Sequence, residues 1–193
     1  MEDSQLLKDA RIQERLAGKK ILVTGATGFI GSQLVERLAL LGAEVTAIGP
    51  ALGWRPTVAH LVRQGRVRFV KLDAFWDPSS LRRIANELEE IVYVIHLDYR
   101  MPHGQNTLDE AIDDGTRNVL GTLRLMQHLP LSVSRICFAS SASVYGPGIT
   151  RPVRETDCPR PASLYAIGKL TTENYLKQHA ARAGDNRSLA QAA

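Results

Sequence analysis

Tyr165 and Lys169 stand four positions apart in a segment with helical spacing, from about Ser163 to Ala181. Residues at i and i+4 lie on one helix face with β-carbons about 5–6 Å apart, so this spacing places an ammonium beside a phenol. A phenolate useful near neutrality needs a pKa about three units below the usual value near 10, which corresponds to roughly 4 kcal/mol. A nearby positive charge favours the phenolate, so the pair predicts a general acid or base at Tyr165. Alone, the same spacing is also typical of a surface pair on an amphipathic helix.

Three glycines lie between the apolar run Lys20–Thr24 and a helical pattern over Ser32–Leu41. Gly25 permits a tight turn, Gly28 lets backbone N–H groups approach a pyrophosphate, and Gly31 lets the helix pack close to the sheet. The N–H groups and partial positive charge of a helix N-terminus favour an anion there. Because the glycines lie between a strand and a helix, they predict a pyrophosphate-binding turn rather than a glycine-rich turn without a ligand.

Apolar runs alternate with helical patterns along the chain. The predicted strands are Lys20–Thr24, Glu44–Ile48, Val67–Leu72, Ile91–Leu97 and Ile136–Ala139, and the predicted helices are Ser32–Leu41, a segment around Ser80–Leu88, Leu108–Leu129 and Ser163–Ala181. This alternation predicts an α/β fold, a three-layer, doubly wound parallel sheet of the Rossmann type. Short, continuous Val/Ile/Leu strands fit a sheet that is buried on both faces. The carboxyl ends of parallel strands meet at one edge, where ligands bind, and that edge would position the glycine turn and the Tyr165 helix.

Several segments together resemble the extended short-chain dehydrogenase/reductases, the NAD-dependent epimerase/dehydratase family. Between about residues 19 and 178 they are TGATGFIG at 24–31, Asp73 after the third strand, His96-Leu97, NVLGT at 118–122, SSASVYG at 140–146 and the Tyr165/Lys169 pair. The resemblance implies an NAD(P)-dependent epimerase/dehydratase-type oxidoreductase. Such an enzyme transfers a hydride on a sugar nucleotide or a related hydroxyl or carbonyl substrate, with tyrosine as the acid and base.

The resemblance also implies roles for individual residues. Ser141, Tyr165 and Lys169 match the catalytic set, in which the serine hydrogen-bonds the substrate oxygen and the tyrosine hydroxyl. Asp73 is implied to accept a hydrogen bond from the adenine amino group, and Asn118 to organise the site through hydrogen bonds. The residues implied to contact the dinucleotide are Gly25, Thr27, Gly28, Phe29, Ile30, Gly31, Asp73, Ala74, Leu97, Asp98, Asn118, Tyr165 and Lys169.

Three departures from the family pattern leave choices open. The second strand runs into Gly49-Pro50, without the carboxylate that NAD-preferring relatives place there, while Arg55 favours a 2′-phosphate. Both NAD and NADP therefore stay open, and only the family favours NAD. Asp98 stands in a segment similar to the family's HLAA and would either repel phosphate or bind ribose. Ala142 and Ser143 replace the Asp-Glu pair of relatives that eliminate water, which disfavours a dehydratase and leaves an epimerase or a dehydrogenase/reductase.

Composition excludes several other classes of protein. The 193 residues, 44% of them hydrophobic, suffice for one domain with a core. The net charge of +4 comes without a nucleic-acid motif, so the basic residues between Arg63 and Arg83 are interpreted as solvated faces and no nucleic-acid partner is predicted. No apolar stretch predicts a membrane span. The histidines and two cysteines lack metal-ligand spacing, and so few cysteines fit a reducing, cytoplasmic location.

The predicted organisation is an N-terminal helical extension over residues 1–18, an NAD(P)-binding domain over 19–182 and a disordered tail over 183–193. No apolar strand is recognisable after the last helix, so the family's later strands and small substrate domain are expected to be missing. The fifth strand would then lie at a sheet edge, unless a partner covers it. The resemblance implies a homodimer through Leu108–Leu129 and Ser163–Ala181. The alternative to an enzyme is a non-catalytic NAD(P)-binding module, or an inactive fragment of such an enzyme.

Overall fold

The sheet is parallel throughout. A computed structural model describes residues 10–52, 56–75, 77–104, 106–148, 150–182 and 188–192. Its strands are Lys20–Thr24 (β1), Glu44–Gly49 (β2), Val67–Lys71 (β3), Tyr93–His96 (β4), Arg135–Ala139 (β5) and Ser188–Ala192 (β6). They pair in the order β3-β2-β1-β4-β5-β6. The predicted doubly wound parallel sheet is confirmed.

Helices connect the strands. They are Ala10–Leu16 (α1), Phe29–Leu40 (α2), Pro56–Arg63 (α3), Pro78–Arg83 (α4), Leu108–Asp114 (α5), Gly121–His128 (α6) and Leu164–Arg182 (α7). A π-helical segment, Gly115–Leu120, joins α5 to α6 in one continuous rod, and short 3₁₀ turns lie at Ala85–Leu88 and Ala142–Tyr145. None of the helices in the described ranges is long and apolar enough to cross a bilayer.

Side chains of the sheet alternate between two apolar layers. On β1, Ile21 and Val23 pack into one cluster while Leu22 packs into the other, because successive strand residues point to opposite faces. The first cluster includes residues of α2 and α3, and the second includes residues of α4, α6 and α7. The sheet is therefore the middle of three layers. The helices pack on its two faces, so a site can form at the carboxyl ends of its strands.

Helix α3 has no counterpart among the helices predicted from sequence. Of its eight residues only Val58 and Leu61 are buried, so its apolar stripe is too short for periodicity to distinguish it from a loop. Its local signals are Pro56 at the first helical position and Gly65, with a φ of +69°, just beyond its end.

Strand β6 corrects the expectation for the tail. The sequence indicates no sixth strand and predicts disorder over 183–193, which is wrong for residues 188–192. This segment pairs in parallel with β5, from Ser188 opposite Arg135 to Ala192 opposite Ala139. Its sequence, SLAQA, carries no β-branched or aromatic side chain. The edge of β5 supplies the driving force instead, because an added strand pairs its exposed N–H and C=O groups. Residues 183–187 and 193, and residues 1–9 of the extension, lie outside the described residues.

Candidate functional site

The loop after β1 turns at Gly25, where φ is +63°, a left-handed conformation that glycine adopts without steric cost. The N–H of Gly28 donates to the oxygen of Gly25 at 3.0 Å, and α2 begins at the next residue. A Cβ on Gly31 would lie 2.9 Å from the Cα of Ala26, so only glycine lets the helix approach the turn this closely. The N-cap residue of α2 is Gly28, which has no side chain to fill the space in front of the helix N-terminus, where an anion can bind.

The turn lies directly against the end of β2. Thr27 is buried, and a Cβ on Gly49 would lie 2.7 Å from the Thr27 hydroxyl oxygen. The neighbouring Phe29 and Ile30 side chains are 74% and 66% exposed, so they form the solvent-facing wall of the turn. Arg55, which the sequence connects to the choice between NAD and NADP, lies outside the described residues.

Asp73 and Ala74 follow β3, farther along the same edge. The N–H of Leu72 donates to the oxygen of Gly49 at 3.1 Å, which continues the β2–β3 pairing to that point. Beyond it the Asp73 side chain is exposed and Ala74 is half-buried. The Asp73 carboxylate therefore stands in solvent at the sheet edge, two strands away from the turn.

His96, the last residue of β4, is fully buried and joins β4 to β1 and α6. Its Nδ1 is 2.6 Å from the Thr24 hydroxyl oxygen, and its Nε2 is 2.8 Å from that of Thr122. Burial, together with the charge of Lys169, lowers the pKa of His96 to about 3. The ring is therefore neutral near pH 7, with one nitrogen donating and the other accepting.

The surrounding hydrogen bonds select the tautomer of that ring. The Thr24 hydroxyl oxygen accepts from the two N–H groups of residues 97–98, both at 3.2 Å, so its own proton is left to donate to Nδ1 of His96. Nε2 then carries the ring proton and donates to Thr122, whose hydroxyl donates to the main-chain oxygen of Asn118 at 2.7 Å. This chain of hydrogen bonds fixes the start of the loop after β4.

Asn118, on the π-helical segment, fixes the next part of that loop. The N–H of Arg100 donates to Asn118 Oδ1 at 2.9 Å, and Asn118 Nδ2 donates back to the Arg100 oxygen at 2.8 Å. The same Nδ2 donates to Asp114 Oδ1 at 2.8 Å. π-bulges recur at functional sites, and this one brings a buried amide to the main chain of the β4 loop.

Tyr165 and Lys169 lie on the first turns of α7, beside the end of β5. Lys169 is only 3% exposed, and its Nζ donates to the main-chain oxygen of Ala139 at 2.7 Å. That ammonium lies 4.1 Å from the ring centroid of Tyr99, 4.7 Å from that of Phe138 and 5.8 Å from that of Tyr165. The structure thus brings the predicted pair together and encloses the ammonium among three aromatic rings.

The electrostatic environment of Lys169 combines burial with nearby carboxylates. Burial lowers the pKa of Lys169 to about 8, which corresponds to about 3 kcal/mol in favour of the neutral amine. The carboxylates of Asp98, Asp114 and Glu173 stabilise the ammonium and so limit the fall in that pKa. Burial in turn raises the pKa of Asp98, while the Lys169 charge acts to lower it. Asp98 is therefore coupled electrostatically to the lysine.

Glu173 links α7 to the segment after β5. Its side chain is 2% exposed, accepts a hydrogen bond from Ser140 and forms an ion pair with Lys177 at 3.3 Å. Its contact with Ser140 joins two elements of the site. The contact holds the first residue of the serine segment against the helix that carries Tyr165.

Ser141 follows β5 and begins the 3₁₀ turn Ala142–Tyr145. Its Oγ accepts from the N–H of Ser143 at 3.2 Å and from the Ser143 hydroxyl at 2.9 Å, so its own proton is left to donate to a ligand. Within the part of the chain that the structure describes, the Ser141 and Tyr165 hydroxyls are not hydrogen-bonded to each other. The structure therefore places Ser141 at the same edge without the predicted contact to Tyr165.

Tyr99 contacts the Tyr165/Lys169 pair but is not among the residues that the family resemblance implies. Its ring packs edge-on against that of Tyr165, with centroids 5.1 Å apart and planes at 85°. Its hydroxyl donates to Asp114 Oδ1 at 2.7 Å. Gly168 leaves room for it, since a Cβ there would lie 2.5 Å from the Tyr99 hydroxyl oxygen. The sequence did offer one signal: this segment departs from the family's HLAA pattern and has an aromatic residue directly after Asp98.

These features define a class of protein. A parallel sheet in the order β3-β2-β1-β4-β5-β6, with a glycine turn between β1 and α2, is a Rossmann-type dinucleotide-binding fold. More specifically, the chain belongs to the NAD dependent epimerase/dehydratase family, whose sequence model matches residues 21–188.

Each of the following relatives matches this chain over about half of its own length. The UDP-glucose 4-epimerase of Mycolicibacterium smegmatis is 34% identical over 163 residues, 83% of this chain and 51% of the relative. MoeE5, solved in complex with UDP-glucose and NAD, is 35% identical with a TM-score of 0.72, covering 89% of this chain and 52% of that one. The UDP-glucose 4-epimerase of Thermotoga maritima, solved with UDP-glucose, is 30% identical with a TM-score of 0.72, covering 88% and 54%. This chain spans about half the length of the curated relatives it matches.

Proposed function

We propose that this chain binds NAD along the carboxyl edge of its sheet and forms the cofactor half of an epimerase or dehydrogenase site for a sugar nucleotide. Residues 19–182 would form the binding domain, preceded by a helical extension over 1–18. The observation that carries the proposal is the enclosure of Lys169 beside Tyr165 at that edge. The complex of the similar MoeE5 with UDP-glucose and NAD supports the choice of ligands.

The edge fits a dinucleotide because its turn leaves space that side chains would otherwise fill. Without a Cβ at Gly31, α2 starts close to the sheet and presents its N-terminus to a pyrophosphate. The residues proposed to hold the dinucleotide are Gly25, Thr27, Gly28, Phe29, Ile30, Gly31, Asp73, Ala74, Leu97, Asp98, Asn118, Tyr165 and Lys169. When bound, a nicotinamide supplies a hydride acceptor and donor for the substrate carbon.

The side chains of the chain would handle the proton. Tyr165 would take the substrate hydroxyl proton at its phenol oxygen and return it after hydride transfer. The Lys169 ammonium, 5.8 Å from the Tyr165 ring centroid, would supply the positive charge on that side of the ring. Ser141 keeps its own hydroxyl proton free to donate to the same substrate oxygen.

The 3₁₀ turn bears on the type of reaction. Ala142 and Ser143 are exposed and occupy the positions where water-eliminating relatives carry an Asp-Glu pair. Without an acid there, nothing in the turn would protonate a leaving hydroxyl. We therefore propose an epimerase or a dehydrogenase/reductase rather than a dehydratase.

A non-catalytic NAD(P)-binding module is the second candidate. The observation that favours it is the Ser141 hydroxyl, which is bonded to Ser143 rather than to Tyr165. The enclosure of Lys169 beside Tyr165 favours the enzyme, because buried ionisable groups with perturbed pKa values cluster at catalytic sites.

Calorimetric titration with NAD⁺ and, separately, NADP⁺ tests the proposal. We expect NAD⁺ to bind, Tyr165→Phe to retain that binding, and the variant to lose any conversion of UDP-glucose that the wild-type chain shows with NAD⁺. Binding without turnover of any sugar nucleotide would favour the module. Absence of binding by a folded chain, or full activity in Tyr165→Phe, would refute the proposed site.

We also propose a homodimer through the rod of α5 and α6 together with α7. Apolar side chains stand exposed on both: Ile112 and Leu120 on the rod, Ile167 and Tyr175 on α7. Leu120, Ile167 and Tyr175 line one groove between these helices. A second copy would bury this surface and remove its contact with water.

A cytoplasmic location is proposed on the state of the cysteines. Cys137 and Cys158 are both free thiols, which suits a reducing compartment. Fractionation of cells that express the chain tests this, and recovery outside the cytoplasm would contradict it.

A further inference from the structure

We propose that Tyr99 is a positioning residue for Lys169 and Tyr165, whose ring covers the lysine ammonium and whose hydroxyl is anchored by Asp114. This inference rests on the proposed function, in which those two residues handle the proton. Tyr99 would act through them, by fixing where the ammonium lies and how much water reaches it.

The ring of Tyr99 contacts both members of the pair. Its centroid is 4.1 Å from Lys169 Nζ, closer than the rings of Phe138 or Tyr165, and within the distance at which a cation is attracted to a ring face. The same ring meets that of Tyr165 edge-on at 5.1 Å. One side chain therefore contacts both the ammonium of Lys169 and the ring of Tyr165.

Asp114 fixes that ring from the far end. Its Oδ1 accepts from the Tyr99 hydroxyl at 2.7 Å and from Asn118 Nδ2 at 2.8 Å, and the residue is buried. Asn118 in turn binds the main chain of Arg100, the next residue after Tyr99. The tyrosine is thus held through its hydroxyl and through its backbone neighbour.

The helix of the pair is shaped to receive Tyr99. Gly168 lies between Tyr165 and Lys169 in the sequence, and a Cβ there would collide with the Tyr99 hydroxyl oxygen and the Asp114 carboxylate. A larger residue at this position would push the anchor away from α7. The absence of a side chain at Gly168 is therefore part of the same arrangement.

Tyr99 and Asp114 act on Lys169 in opposite directions. The titratable groups around the ammonium are His96 of β4, Asp98 and Tyr99 of the following loop, Asp114 of α5, and Tyr165 and Glu173 of α7. The Tyr99 ring keeps water from the ammonium, whereas the Asp114 charge stabilises it. Water hydrates an ammonium more strongly than a ring face attracts it. Removing the ring should therefore raise the pKa of Lys169, and removing the carboxylate charge should lower it.

Titration of ¹³Cε-labelled lysine by NMR in the intact chain tests this directly, with the Lys169 signal assigned from its loss in Lys169→Arg. We expect a wild-type midpoint of about 8. Tyr99→Ala should move it upward by roughly one unit or more, and Asp114→Asn should move it downward. Gln178→Ala, at an exposed position of the same helix, is the control and should leave the midpoint in place.

An unchanged Lys169 midpoint in Tyr99→Ala, or shifts of the same sign in both variants, would overturn the inference. If Tyr99→Ala does not fold, as judged by circular dichroism, Tyr99→Phe keeps the ring but loses its anchor. In Tyr99→Phe the Lys169 midpoint should rise by less than the roughly one unit expected for Tyr99→Ala. An unchanged midpoint in Tyr99→Phe would again overturn the inference. None of these titrations requires cofactor. Failure of the wild-type chain to bind NAD would therefore refute the proposed function without affecting the test of Tyr99.

Discussion

The Lys169 ammonium donates a hydrogen bond of 2.7 Å to the main-chain oxygen of Ala139. This contact joins α7 to the last residue of β5 in a setting from which water is almost excluded. Burial lowers the lysine pKa from 10.5 to about 8. Below about pH 8 the lysine is charged in both the folded and the unfolded chain, so its burial lowers the free energy of unfolding by the full amount. Between about pH 8 and pH 10.5 the unfolded chain binds more protons than the folded chain, so this penalty shrinks as the pH rises.

Replacing Lys169 by methionine should therefore stabilise the fold. Methionine has a similar length and no charge to bury, so we expect the free energy of unfolding at pH 7 to rise by about 1–3 kcal/mol, after allowing for the lost hydrogen bond and cation–π contacts. Urea denaturation at pH 7 and pH 10 measures this, and the gain should shrink at the higher pH. Lys71→Met, at an exposed lysine, is the control, and an equal gain there would contradict the argument.

Gly168→Ala should destabilise the fold and disturb the site. The new Cβ would lie 2.5 Å from the Tyr99 hydroxyl oxygen, and overpacking of this kind costs about 1–3 kcal/mol. The matched control is Gly115→Ala on the facing helical rod, where a Cβ would meet nothing within 4 Å. That variant should be neutral or more stable, because alanine favours helix over glycine by about 1 kcal/mol. Thermal melts of the two variants should move apart, and a common shift would count against the close packing at Gly168.

The parts of the site that the sequence could predict are local. Tyr165 and Lys169 are four residues apart on one helix, and the glycine turn lies between a strand and the helix that follows it. Their relative placement depends on short-range geometry that spacing alone determines. Such pairs can be located before the fold is known.

The parts that the sequence could not predict depend on contacts between distant segments. Tyr99 and Asp114 meet only because the β4 loop and α5 pack against α7. The spacing of apolar residues in the sequence does not predict that contact. Residues 188–192 form a strand through backbone pairing with β5 rather than through their side chains. In each case the deciding interaction involves a partner far away in the chain.

Acidification should weaken the fold through His96. Its pKa falls from 6.5 to about 3 on folding, so its contribution to stability is complete above pH 6.5 and is lost progressively as the pH falls below that value. Between pH 7 and pH 5 this amounts to about 2 kcal/mol. We expect the wild-type free energy of unfolding, from urea titrations, to fall by that much more than the value for His96→Gln. Parallel losses in both proteins would show that other groups cause the acid sensitivity.

Gly31→Ala should impair dinucleotide binding. The added methyl group would lie 2.9 Å from the Cα of Ala26, and relief of that clash requires α2 to move away from the turn. Because the helix N-terminus then no longer faces the pyrophosphate correctly, affinity for NAD⁺ should fall by at least about tenfold, about 1.4 kcal/mol. Calorimetric titration measures the change. Gln33→Ala, at an exposed position of the same helix, should bind like the wild type, and equal affinity in Gly31→Ala would remove the glycine turn from the proposed site.

Ile167→Glu should prevent self-association while leaving the protomer folded. The side chain is 48% exposed and lines the groove between the helical rod and α7, so a carboxylate there remains solvated in the monomer but would be buried without a partner in a dimer. Sedimentation velocity should show a dimer for the wild-type chain and a monomer for the variant, with similar thermal melts at low concentration. Val153→Glu, at an exposed apolar residue outside these helices, controls for the added charge. A wild-type chain that sediments as a monomer at all concentrations would refute the proposed interface.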